Sequence, residues 1–192
     1  MPSRLSHRLV ISIAVAVLGL PAMAGAQPAQ PEPIIDPDAY GVYAELLPPL
    51  WATRSKDTMV IGEDTKFYQC PGTLAVPDAD WQSAWDNYAN ENRRGRRLLH
   101  LFPVPISYLL ISTADIQAAG RRLLDLYPGV GRHSGREKDY LFVSAVGFNA
   151  TKTRAIVGLE FHASGSIHLV EKRDGHWVTA GTPGLLTCGW AA

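Results

Sequence analysis

The chain has 192 residues, with 18 lysines and arginines against 18 aspartates and glutamates. That balance excludes a general electrostatic pull toward nucleic acid or an anionic membrane, and the length suits one domain with its own core. Only two cysteines occur, neither in a C-x-x-C pair, which argues against thiol redox catalysis.

The first segment reads as an export address. Arg4, His7 and Arg8 precede an apolar run from Leu9 to Leu20, and Ala24-Gly25-Ala26 offers the small residues of an A-x-A cleavage site. The run is about 12 residues, short of the roughly 20 that cross a bilayer, so 1–26 is read as a secretory signal peptide. No cysteine is near the cleavage site to take a lipid. Cleavage leaves 192 − 26 = 166 residues and, with Arg4 and Arg8 gone, 16 basic against 18 acidic side chains. The mature protein is expected in the periplasm or secreted, not membrane-spanning, with no nucleic-acid partner. An oxidising compartment permits a disulfide between Cys70 and Cys188; two buried free thiols are the alternative.

Residues 27–38 are proline-rich and read as an extended linker into a single domain over 39–192. Tyr40, Tyr43, Leu46 and Leu47 fall at helical spacing behind Asp38 as a cap, and Pro48-Pro49 are expected to stop that helix. Residues 59–61 suit a short strand. After Asp80 a second helix carries Trp81, Trp85 and Tyr88 at i, i+4 and i+7, an aromatic stripe that favours core packing over a ligand platform. Arg93, Arg94, Arg96 and Arg97 follow, either a solvated helix end or a grip for an anionic envelope lipid. A strand is expected over 108–112 and a third helix over 113–129, ended by Pro128-Gly129. The glycines at 129, 131 and 135 match neither a dinucleotide fingerprint, a P-loop nor a nucleophile elbow.

From Tyr140 the apolar period becomes two. Four strands separated by turns at 149–152, Ser164-Gly165 and Asp174-Gly175 are too closely joined for parallel crossovers. The expected fold class is α+β, with N-terminal helices packed on a C-terminal four-stranded antiparallel meander.

Inside that meander Ala155, Val157, Leu159 and Phe161 alternate with Arg154, Gly158, Glu160 and His162. A three-residue turn, Ser164-Gly165-Ser166, would keep Ile167 and Leu169 on the core face and set His162 opposite His168, with Glu160 two residues along. His162, His168 and Glu160 are thus candidate ligands for Zn²⁺, or a base with its orienting partners. An ordinary solvated sheet face is the competing reading.

The same region resembles a family of uncharacterised exported bacterial proteins, through Val146-Gly147-Phe148-Asn149, then Thr153, Ala155 and Val157, then Leu169, Glu171, Lys172, Asp174, Gly175 and Trp177. Where its members often carry cysteines, this chain has residues 162–166, "HASGS". The resemblance implies export and no particular activity. The leading expectation is a non-enzymatic domain that binds a protein or envelope component. The alternatives are a metal-binding protein or metal-assisted hydrolase using the histidines and Glu160, and a small-molecule carrier with a pocket beside Trp81 and Trp85.

Overall fold

The computed structural model describes residues 30–52, 58–69, 76, 78–119, 140–161, 164–181 and 189–191. The segment read as a signal peptide, both cysteines, His162 and the glycine-rich loop near 129–135 lie outside them.

Helix α1 (Pro37–Ala52) starts at an Asp36 cap, whose carboxylate accepts the backbone N–H of Asp38 at 3.0 Å. Pro37 takes the first helical position, where a missing amide hydrogen costs nothing. The helix does not end at Pro48-Pro49 but runs on to Ala52. The two prolines forfeit their amide bonds, yet burial of Leu46, Leu47 and Trp51 in the core holds the last turn in place.

Helix α2 (Ala79–Glu91) is capped by Asp78, which accepts from Trp81 N–H at 2.9 Å. Trp81, Ala84 and Tyr88 are buried and Trp85 is half-buried, so the aromatic stripe is core. Helix α3 (Thr113–Ala119) begins where expected, with Ser112 accepting from Asp115 N–H at 3.0 Å; the end expected at Pro128-Gly129 is outside the described residues.

The strands are β1 (Glu32–Pro33), β2 (Met59–Gly62), β3 (Arg96–Arg97), β4 (Tyr108–Ile111), β5 (Tyr140–Val143), β6 (Gly147–Phe148), β7 (Arg154–Phe161), β8 (Ser164–Arg173), β9 (His176–Thr179) and β10 (Gly189–Ala191). β1 and β3 make a small parallel ladder. The other eight form one mixed sheet in the order β10-β8-β7-β5-β2-β4, with β6 also on β7 and β9 also on β8. The α+β arrangement of N-terminal helices on a four-stranded antiparallel meander is therefore overturned. The local antiparallel pairs exist, but β2 runs parallel to both β4 and β5 and extends the sheet past the meander. β2 shows why the pattern misled. All four of its residues are buried, so it lacks the alternation of a one-faced strand.

The architecture is a mixed α/β sheet with helices on both faces. α1 packs with Met59, Ile61, Leu141, Val143, Ala155, Val157, Leu159 and Val170. The opposite face meets α2 at Ile156, Ile167 and Leu169, and meets Ile116 of α3 at Val60 and Phe142. Five consecutive residues of β7, 155–159, are consequently buried.

The proline-rich approach is also part of the fold. Ile34 N–H donates to the Arg97 carbonyl at 2.8 Å, and the Tyr40 hydroxyl donates to the Ile34 carbonyl at 3.0 Å. Between β5 and β6 the buried Ser144 replaces ladder bonds. Its hydroxyl accepts from Gly158 N–H at 2.7 Å and donates to the Ala145 carbonyl at 2.9 Å.

Candidate functional site

His168 and Glu160 are not brought together, and His162 is outside the described residues. His168 pairs with Val157, where the three-residue turn would have placed His162 opposite it. The difference, 162 − 157 = 5, is odd, and an odd slip sends every side chain of a strand to the other face. Because both faces are covered, apolar residues on alternate positions could not identify a single core face. His168 thus lies on the α1 face, mostly buried, with its Nε2 2.7 Å from the Ser166 hydroxyl. Burial pushes its pKa below the ordinary histidine value. Glu160 pairs with Gly165 and lies on the opposite face, 3.6 Å from Lys66 Nζ. No cluster of three or more His, Cys, Asp or Glu able to hold a metal occurs among the described residues.

The arginine group also divides. Arg96 is ion-paired with Glu32 and Glu91, and Arg97 lies 3.9 Å from Glu63. Arg93 and Arg94 are exposed.

The segment from Val146 to Trp177 is a folding element. Val146 is core, and a Cβ on Gly147 would lie 2.3 Å from the Tyr88 backbone. Phe148 packs on Trp177 at 5.5 Å between ring centroids. Asn149 closes the turn before β7 by accepting from Thr153 N–H at 2.8 Å and Arg154 N–H at 3.0 Å. Glu171 pairs with Arg154 across β7 and β8, which explains an acidic side chain at a buried position. Asp174 and Gly175 take positive φ values of 50° and 81°, as a tight hairpin turn requires. Lys172 and the Trp177 indole both donate to Asp38, at 2.7 and 3.3 Å, and so fasten β8 and β9 to the start of α1. Through these bonds, the Lys172 hydrogen bond foremost, the Asp38 carboxyl titrates below its ordinary value.

Beside this element is a cleft of about 440 Å³. Its walls are residues 32–36, Asn87 and Glu91 of α2, Arg96, and the turn from Ala145 to Lys152. Ile34, Ala39, Val146 and Phe148 make the apolar part, and Ile35, 75% exposed, stands on the rim. The charged walls are held in place. Arg96 sits between Glu32 and Glu91, and Lys152 Nζ is 2.7 Å from Asp36 and 3.7 Å from Asp38. The Asp36 hydrogen bond is the largest cause of the raised Lys152 pKa. Among the described residues, the cleft is lined by carboxylates, an arginine, a lysine, asparagines and apolar side chains, which offer hydrogen bonds, ion pairs and apolar contact. Neither Trp81 nor Trp85, where a carrier pocket was expected, contributes to it.

Sequence reasoning missed this cleft. Asp36 and Lys152 are 116 residues apart and Glu32 and Arg96 are 64 apart, so no local spacing links them. Among the described residues, no helix is long and apolar enough to cross a membrane. No family model, curated protein or solved structure matches this chain.

Proposed function

We propose that the mature protein is an exported, non-enzymatic binding domain that recognises a protein or envelope component through the cleft between residues 32–36 and the 145–152 turn. The observation that carries this reading is a preformed cleft whose charged walls are already locked in ion pairs. A partner docking there pays little to order the side chains it meets, and preorganisation of this kind is a main source of affinity. The occupant best suited is a segment with one apolar side chain for the Ile34–Phe148 floor and polar groups for the Asn87, Arg96 and Lys152 rim. Export rests on the layout of residues 1–26.

The test is photo-crosslinking in cells of the natural host, with the photoreactive residue placed at Ile35. A discrete adduct is expected from Ile35 and not from Gln117, an exposed position on α3 that does not line the cleft. Adducts of the same mass from both positions, or none from Ile35, would remove the support for the cleft.

A further inference from the structure

A second cavity, of about 110 Å³, lies between the C-terminal end of α1 and the sheet and is partly open to solvent. Leu47 and Trp51 come from α1, and Met59, Leu141 and Leu159 from three neighbouring strands. At one wall is the hydroxyl of Ser166, 2.7 Å from His168 Nε2. The hydroxyl of Ser164, also in the lining, is already committed to the Phe161 carbonyl at 2.8 Å.

The Ser166 hydroxyl has one donor and two acceptor sites, and the bond to His168 uses one of the three. If Ser166 donates to the imidazole, it can still accept from a ligand; if the imidazole N–H donates to Ser166, its own proton is free to be donated. A ligand hydroxyl satisfies either arrangement because it both donates and accepts. Among the described residues, the lining carries no charged side chain, so a carboxylate or ammonium seated at Ser166, away from the open side, would lose hydration with no opposite charge to replace it. The volume is somewhat below the roughly 150 Å³ of an apolar cavity that takes benzene, and the open side lets one end of a ligand protrude. A polar pair kept beside a void also needs a reason, since an apolar side chain at Ser166 would fill the space at lower desolvation cost.

We propose that this cavity binds a small uncharged amphiphile, one aromatic ring or short aliphatic chain bearing a hydroxyl, with its apolar body between Trp51 and Leu159 and its hydroxyl on Ser166. The site is separate from the cleft, and the inference stands or falls independently of it.

The experiment is a titration of the mature protein, methyl-labelled at Leu and Met, with phenol, toluene and benzoate, read by NMR. Phenol should shift the Leu47, Met59 and Leu159 methyls saturably, and benzoate should bind at least about ten-fold more weakly. Ser166→Ala should weaken phenol about five-fold or more while leaving toluene within about two-fold. Ser166→Thr, which keeps the hydroxyl, should restore phenol binding. Three results would overturn the proposal: no saturable shift with either phenol or toluene, benzoate binding as well as phenol, or Ser166→Ala weakening phenol and toluene alike. The ligand series on the unmodified protein decides the matter even if a variant fails to fold.

Discussion

Adding a single methyl group at Gly147 probes how α2 is seated on the sheet. A Cβ there would lie 2.3 Å from the Cα and backbone nitrogen of Tyr88 and 2.4 Å from its Cβ. Backbone atoms cannot swing aside as a side-chain tip does, so α2 must retreat by about 3.4 − 2.3 = 1.1 Å to reach ordinary contact. The retreat loosens the Phe148 N–H bond to Asn87, now 2.8 Å, and the paired Asn92–Ala145 bonds of 2.8 and 2.9 Å. It also lifts Trp81, Ala84 and Tyr88 from Ile156, Ile167 and Leu169. Overpacking of this kind costs ~1–3 kcal/mol, and weakening the hydrogen bonds adds ~1–2 kcal/mol, so Gly147→Ala should destabilise by ~2–5 kcal/mol. At ~2–4 °C per kcal/mol for a chain of this size, Tm should fall by ~5–20 °C. Urea unfolding followed by tryptophan fluorescence and circular dichroism measures the loss. Gly95→Ala is the control, because a Cβ there meets nothing within 4 Å, and it should stay within ~0.5 kcal/mol. Equal midpoints and slopes for the two variants would refute the close contact of α2 with β6.

Three further outcomes follow from the buried polar groups. Asn92→Ala strips the N–H and carbonyl of Ala145 of their partner in a buried site and should cost ~2–4 kcal/mol, with faster amide exchange at Ala145; a loss under ~0.5 kcal/mol would contradict that bonding. Asp38→Asn should cost only ~0.5–1 kcal/mol at pH 7, because the carboxylate is 26% exposed and its pairing is screened. Since the folded pKa of Asp38 is lowered from 3.8, its stabilisation is present above that value and lost as pH falls through the folded one. The gap between wild type and Asp38→Asn in urea midpoint should therefore close as pH falls from 3.8 through the folded value, and a gap unchanged from pH 7 would exclude an ionic origin. For His168, burial lowers the folded pKa from 6.5, so below 6.5 the unfolded chain binds the proton that the folded chain refuses. Stability should decline as pH drops from 6.5 toward the folded value, and less steeply in His168→Gln; identical pH profiles would show that His168 is not the group responsible.

Short-range features were legible in the sequence. The apolar run at 59–61 is in a strand, the strand expected over 108–112 forms over Tyr108–Ile111, the stripe of Trp81 and Tyr88 is core, and Asp174-Gly175 is a hairpin turn. Each depends on neighbours within a few residues: helical spacing, β propensity, a positive φ. The same reasoning erred where a local signal met a longer-range one. Pro48-Pro49 did not end α1 because Trp51 beyond them is buried, and the β7–β8 register slipped because both sheet faces are covered. In the observed register Glu171 stands across the ladder from Arg154, which supplies the charge its buried carboxylate needs.

The sequence by itself thus determined where most helices, strands and turns form, because those choices are made by backbone sterics and by side chains one or two turns apart. Only the tertiary structure decided that β2 joins β4 and β5 in parallel, that α1 and α2 clasp opposite faces, and that Glu160 and His168 are kept apart. It also decided that Glu32, Asp36, Arg96 and Lys152 surround one cleft. These partnerships join residues far apart in the chain, and they are selected by the burial of whole apolar faces, a quantity that no local spacing encodes.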